Sequence, residues 1–246
     1  MFLEERYEKI IECVELSGRA TVKELAKKFE VTEDCIRKDL RVLENRGSIK
    51  RVHGGAISQR GHNKVKKVNE RIEINSEQKK KIATKASELI YEEDVIFLDV
   101  STINLEIAKI LLEKNMYITI ITNMIEIAME LKNSSNIRII VIGGEFNKKT
   151  EAIMGTEADR YIKKFTYDKS FIGVCGVNLE SGYISSPDLE DGNTKKTIIE
   201  CSNKIYLVME EEKFNYDEFY KFANVNEITS IITENNILEG DLLWLN

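Results

Sequence analysis

Between residues 3 and 57 the apolar positions fall at helical spacing in three successive stretches. Leu3, Tyr7, Ile10, Ile11 and Val14 line one face of a helix over residues 3–16, which Ser17-Gly18 ends. Thr21 with Glu24 three residues later makes a capping box, and Val22, Leu25, Ala26 and Phe29 continue as a second amphipathic helix. Glu30-Val31 is too short to be more than a turn. Thr32 then caps a third helix whose Ile36, Leu40 and Leu43 share a face, and Gly47 ends it. Residues 48–57 read as a hairpin turning at Gly54-Gly55. Two helices joined by a tight turn and followed by a glycine-centred ribbon predict a winged helix-turn-helix over residues 1–57.

The pattern changes after Ile57. SQRGHNKVKKVNERIEINS has no apolar period and predicts a basic linker over residues 58–75. From Ser76 a helix runs to about Tyr91, and apolar runs follow at 94–100, 117–123, 137–144, 169–177, 204–210 and 228–233. Helical candidates near 104–113, 124–132, 155–165 and 192–202 separate them. Continuous apolar strands alternating with helices predict an α/β domain over residues 76–246, with a mostly parallel sheet covered on both faces.

The polar face of the third helix brings in chemistry. Arg37, Lys38 and Arg41 share it, with Thr32, Asp34 and Cys35 in the first turn, where a helix laid in the major groove presents side chains to base edges. Lys50, Arg51 and His53 surround the Gly54-Gly55 turn, as a wing gripping phosphate or minor groove requires. Three cations on the wet side of a helix are also what an ordinary solvated helix shows; the order of elements favours DNA. Charge agrees. Residues 1–81 carry 20 Lys and Arg against 14 Asp and Glu, whereas residues 82–246 carry 16 against 28, a basic end on an acidic body.

In an open parallel sheet, ligands bind beyond the carboxyl ends of the strands. Those ends read Asp99-Val100-Ser101-Thr102, Thr122-Asn123, Gly143-Gly144, Gly176-Val177-Asn178 and Glu210 to Lys213. Glycines let backbone approach a ligand, hydroxyls and amides hydrogen-bond it, and Ser101-Thr102 opens a helix whose N-terminus suits phosphate. Lys79, Lys195 and Lys213 are candidates for the opposing charge.

CIRKDLRVLENRGSIKRVHGGA resembles the signature of the DeoR family of bacterial transcriptional regulators, which control sugar and polyol metabolism. Cys35 stands where that family usually has Thr, and Lys38 where it has Arg. Arg71, Asn75, Lys79, Asp99, Thr122-Asn123, Gly143-Gly144, FIGVCGV, Lys195 and Lys213-Phe214 also fall where the family's pattern expects them. The resemblance implies a C-terminal domain related in fold to sugar-phosphate isomerases that binds phosphorylated sugars as inducers or corepressors. The family usually follows its strand-end Asp with x-Gly-Thr-Thr; here Asp99 precedes Val100-Ser101-Thr102-Ile103-Asn104, which alters the loop that Asn104 joins.

The expected protein is therefore a cytoplasmic, homo-oligomeric repressor, dimer or tetramer, that binds double-stranded operator DNA and responds to a phosphorylated sugar. No apolar run is long enough for a membrane span. Cys13, Cys35, Cys175 and Cys201 lack the close spacing of a metal site, no cofactor is expected, and Cys13, Cys175 and Cys201 read as small buried residues. Two rivals stay open. The C-terminal body could serve only oligomerisation, or retain isomerase chemistry, although His53 and His62 lie outside it and no catalytic residue is assigned.

Overall fold

The computed structural model describes residues 3–17, 19–46, 48–52, 54–58, 68–179, 181–214, 216 and 218–239. They form two compact units, Met1–Asn63 and Lys64–Asn246.

The first unit runs α1 (Leu3–Ser17), β1 (Arg19–Thr21), α2 (Val22–Phe29), α3 (Glu33–Asn45), β2 (Ile49–Val52) and β3 (Gly55–Ser58). The capping box at α2 is formed: the Thr21 side chain accepts from the Glu24 N–H, and Glu24 accepts from the Thr21 N–H. Glu30 takes a left-handed conformation, φ 54°, to end α2, and Thr32 caps α3 by accepting from the Cys35 N–H at 3.2 Å. Tyr7, Ile10, Val14, Leu25, Ile36, Leu40, Leu43 and Ile49 pack into one core. Leu3, expected on that face, is 49% exposed because it lies at the open end of α1. Gly47 and His53 lie outside the described residues.

The strands of this unit form a sheet in the order β1-β3-β2, antiparallel throughout. Gly54 supplies the positive φ of the β2–β3 turn, 84°, and its carbonyl accepts from the Val22 N–H, fastening the turn to α2. Gly55 has a different reason to lack a side chain. A Cβ there would lie 2.2 Å from the Ala20 carbonyl oxygen, so β1 and β3 pair this closely only across glycine.

The second unit opens with α4 (Val68–Glu73) and α5 (Ser76–Ser87). Residues 68–73 were expected in the linker. They belong to this unit instead, because Val68 is buried in its core, a contact that no helical period announces in so short a segment. The helix expected to reach Tyr91 stops at Ser87.

There follow β4 (Val95–Leu98), α6 (Thr102–Lys114), β5 (Ile118–Thr122), α7 (Ile125–Leu131), β6 (Ile137–Val141), β7 (Glu145–Asn147), β8 (Ala152–Met154), α8 (Thr156–Ile162), β9 (Tyr167–Gly173) and β10 (Gly176–Val177). Then come β11 (Tyr183–Ser186), α9 (Leu189–Glu200), β12 (Ser202–Val208), β13 (Tyr220–Asn224), β14 (Ser230–Ile232) and β15 (Ile237–Glu239).

Seven strands make the main sheet, in the order β15-β14-β12-β9-β4-β5-β6. All pair in parallel except the edge strand β15, which runs antiparallel to β14. Alternation along each strand feeds two cores. Ile96, Leu98, Phe171 and Tyr206 join α5, α6 and α7 on one face; Phe97, Ile172, Leu207 and Ile231 join α8 and α9 on the other. A small antiparallel sheet, β10-β11-β13, and the hairpin β7–β8 complete the unit. The apolar run 169–177 is thus two strands in two sheets, divided after Gly173.

Strand order sets where a ligand has room. From β4 the chain moves to β5 and β6 on one side, then returns to place β9, β12 and β14 on the other. The reversal lies between β4 and β9, and the crevice outside a parallel sheet opens at such a switch point. Substituting Gly55 with Ala in the first unit is expected to destabilise the protein by about 1–3 kcal/mol, since a backbone oxygen must give way. Denaturant unfolding of the full chain measures this, and an unchanged midpoint would mean that β1 and β3 part freely.

Candidate nucleic-acid surface and ligand crevice

On α3 the expected reading residues divide by charge compensation. Arg37 is half-exposed but held by its own helix, Nη1 at 2.7 Å from Asp34 and Nη2 at 2.7 Å from Glu33. Lys38, Arg41 and Lys50 are exposed, and among the described residues none of them forms an ion pair. Arg51, expected at phosphate, lies against the end of α3 in this structure. Its N–H donates to Glu44 Oε1 at 3.0 Å and its Nε to Oε2 at 2.7 Å, which fastens β2 to the end of α3. That pairing also pulls the half-buried Glu44 carboxyl below its ordinary range. Thr32 spends its hydroxyl oxygen on the cap, and Cys35 is half-buried.

Asp39 was missed. It is 3% exposed and accepts a paired hydrogen bond from Arg6 of α1, at 2.7 and 3.1 Å. The signal was present, because Asp39 stands three residues after Ile36 and four before Leu43, on the apolar face. A carboxylate placed there needs a cation from the facing helix. A second clamp joins α1 to the end of α3, Arg46 to Glu4 at 2.8 and 2.9 Å.

In the second unit the structure gathers Asp99, Ser101, Thr102, Asn104, Asn123 and Lys195 around the ends of β4, β5 and β9. Asp99 is fully buried and accepts from Lys195 Nζ, Asn123 Nδ2 and the Gly173 N–H. Lys195 also lies 3.1 Å from Asp191, itself bonded by Ser186 Oγ at 2.7 Å. Burial disfavours the Lys195 ammonium, but Asp191 and Asp99 outweigh it and hold it above its ordinary value. Lys195 therefore has its charge answered within the protein.

Three expected ligand contacts carry structural duties here. Asn104 donates to the carbonyls of Asp99 and Phe171 at 2.7 and 2.8 Å, bracing the ends of β4 and β9. Ser101 caps α6 through the Ile103 N–H and is buried, as is Thr102 beside it. Gly176 lacks a side chain because a Cβ would fall 2.4 Å from the Tyr216 carbonyl oxygen. Gly143 and Gly144 stand apart, exposed at the end of the edge strand β6.

A second cluster forms at the end of β12. Glu210, 5% exposed, lies 2.9 Å from Lys213 Nζ and 4.0 Å from Lys79 Nζ. Lys79 is also buried and donates to the Arg71 carbonyl. Burial lowers the Lys79 pKa; for Lys213 burial does the same, but Glu210 outweighs it and raises the value. Arg71 lies within electrostatic reach of both lysines, and its Nε is buried without a hydrogen-bond partner. Asn75 donates to Glu212 at 3.3 Å. Cys175, expected buried, is exposed as a residue, but burial pushes its thiol pKa up; Lys213 and Lys195 both act on that thiol, so both clusters lie within electrostatic reach of it.

A groove of about 300 Å³ lies elsewhere, lined by Glu145, Phe146, Asn147, Lys148, Met154 and Glu190. Two carboxylates at its wall make it a poor seat for an anion. Among the described residues no His, Cys, Asp and Glu group suits a metal ion, and no helix is long and apolar enough to cross a membrane.

The family model of the DeoR-like helix-turn-helix domain matches residues 6–73, and that of the DeoR C terminal sensor domain matches residues 74–235. The chain belongs to the DeoR family. Among its relatives are YulB of Bacillus subtilis, an uncharacterized HTH-type transcriptional regulator, and the repressor GlcR of the same organism. YulB is 33% identical over 96% of this chain and 91% of its own length; GlcR is 32% identical over 95% and 89%. The L-fucose operon activator of Haemophilus influenzae is 30% identical over 94% and 92%.

Among solved structures, ribose 5-phosphate isomerase A of Methanocaldococcus jannaschii overlaps 57% of this chain and 55% of its own, with TM-score 0.42 and 15% identity. These relatives of this DeoR-family chain are transcriptional regulators, and the two matches give it a DeoR-like helix-turn-helix domain followed by a sensor domain.

Asp39→Ala strands the Arg6 guanidinium, whose side chain is 13% exposed. The expected loss is about 2–3 kcal/mol of stability, as for a hydrogen bond to a charged group. Thermal unfolding of the full chain reads it, and an unchanged melting temperature would reduce the clamp to a surface ion pair.

Proposed function

We propose that this DeoR-family protein is a homo-oligomeric repressor of a sugar or polyol operon whose sensor domain binds a phosphorylated sugar. One observation carries the effector reading. Arg71, Lys79 and Lys213 meet at the end of β12 around the buried Glu210, with Glu212 more exposed beside it, and the Arg71 Nε has no partner. A phosphate answers that donor and can take further hydrogen bonds from Lys79 and Lys213. Asp99 and Asn123, at the adjoining strand ends, suit the hydroxyls of a sugar. Lys195 then acts as a brace for Asp99 and not as a phosphate ligand.

On the DNA side, α3 enters the major groove and Lys38, Arg41 and Lys50, exposed and outside the ion pairs of the described residues, supply the charge. Arg37 reads bases from a position fixed by Glu33 and Asp34, and Arg51 holds the wing. Two half-sites bound by two copies add their affinities, which a single small reading head needs. A ligand lowers operator affinity to the extent that it favours an arrangement of the reading heads that the operator does not fit.

Lys38→Ala and Arg41→Ala are each expected to reduce the log–log salt slope of duplex binding by up to about 0.9, as one lost phosphate contact does. Arg51→Ala is expected to leave the slope near that of the unaltered protein. The reverse pattern in salt titrations would make Arg51 the phosphate contact.

For the sensor domain, the measurement is thermal unfolding of the full chain against a panel of sugar phosphates. A ligand at 100 times its Kd adds about 2.7 kcal/mol of apparent stability, and Lys213→Ala is expected to abolish the shift. No shift with any sugar phosphate would leave the second unit as an oligomerisation body. That alternative draws on the enclosure of Lys195 by two carboxylates.

A further inference from the structure

Helix α4 is the first described element after residues 59–67, the stretch leading from the DNA-binding unit. Six residues make a helix too short to hold itself together, so its contacts decide whether it is ordered. At one end Val68 is buried in the core of the second unit, and its N–H donates to the Glu151 carboxylate. Glu151 is itself fixed in the β7–β8 turn with φ 58°. At the other end the Arg71 carbonyl accepts from Lys79 Nζ. Ile72 packs partly against the same core.

Arg71 gives α4 a second connection. Its carbonyl holds Lys79, while its own Nε, buried and unpartnered, belongs to the cationic cluster around Glu210. The last turn of α4 is therefore a wall of the proposed anion site. Lys79 has three N–H donors and gives one to Arg71, so it can keep that bond while taking an anion with another. An anion seated there satisfies the Arg71 Nε and bridges through Lys79 to the carbonyl end of the same helix.

We propose that α4 is ordered by the ligand: an anion bound by Arg71 and Lys79 locks α4, the first described element after Ser58, onto the second unit. This rests on the reading that the sensor domain takes a phosphorylated ligand at the Glu210 cluster. The signal is ordering of a marginal helix. Coupling is reciprocal, so whatever loosens α4 at its far end weakens the anion at the near end. Glu151 provides the means to test this, since it holds the Val68 end and belongs to neither ligand cluster.

The experiment uses the full chain with inorganic phosphate as probe. Hydrogen exchange of the amides in residues 68–75 is followed as phosphate is added, and phosphate affinity is measured by calorimetry in the same buffer. Exchange is expected to slow as phosphate binds. Glu151→Gln is expected to raise exchange in the absence of phosphate and to weaken phosphate by about fivefold, the low end of allosteric coupling. Arg71→Lys keeps the charge and the helix but removes Nε, and is expected to lose both the affinity and the protection.

Phosphate that binds the unaltered protein while exchange in residues 68–75 stays constant would overturn the coupling and leave the effector reading standing. Unchanged phosphate affinity in Glu151→Gln would do the same. Absence of binding by phosphate and by the sugar phosphates alike would remove the effector reading and the coupling with it.

Discussion

The carboxylate of Asp99 is fully buried, and a buried charge is tolerated only where opposite charge and hydrogen bonds surround it. Meeting that demand organises the second unit. Lys195 comes from α9, Asn123 from the end of β5 and the Gly173 N–H from the end of β9, while Asn104 of α6 ties the backbone of β4 to that of β9. Gly173 also lets α6 begin this close, since a Cβ there would lie 2.6 Å from Ser101 Cβ. The charge at the switch point of the sheet is consequently answered within the protein. Arg71, Lys79 and Lys213 gather one step along, at the end of β12, around Glu210.

The first unit uses carboxylates in the same way but nearer the surface. Asp39, Glu4 and Glu44 hold Arg6, Arg46 and Arg51, joining α3 to α1 and to the first strand of the wing. A reading helix must present its side chains at a fixed angle, and these clamps oppose its rolling. Cations held by the clamps have their charge answered within the unit, whereas Lys38, Arg41 and Lys50 are exposed and form no ion pair among the described residues. Such a division keeps non-specific attraction modest while the acidic second unit repels polyanions.

A ligand can decide the order only of an element that is marginally ordered without it. A six-residue helix that shares its last turn with a cationic cluster has that property; the long helices α5 and α6, buried along whole faces, do not.

Local periodicity alone made the winged helix-turn-helix legible, because capping at Thr21 and Thr32, the spacing of Ile36, Leu40 and Leu43, and the Gly54-Gly55 turn are contacts between near neighbours in sequence. The alternation of apolar runs and helices likewise announced a parallel sheet covered on both faces. What a residue does across long separations was not written there. Lys195 and Lys213 look alike in sequence, yet folding surrounds one with Asp99 and Asp191 and brings the other beside Lys79 and Arg71. Gly176 is small to admit Tyr216, and Val68 leaves the linker for a core pocket. Spacing determines which face a side chain occupies; the charge, carbonyl or empty space it then meets is supplied by residues tens of positions away, and only the tertiary structure decides that.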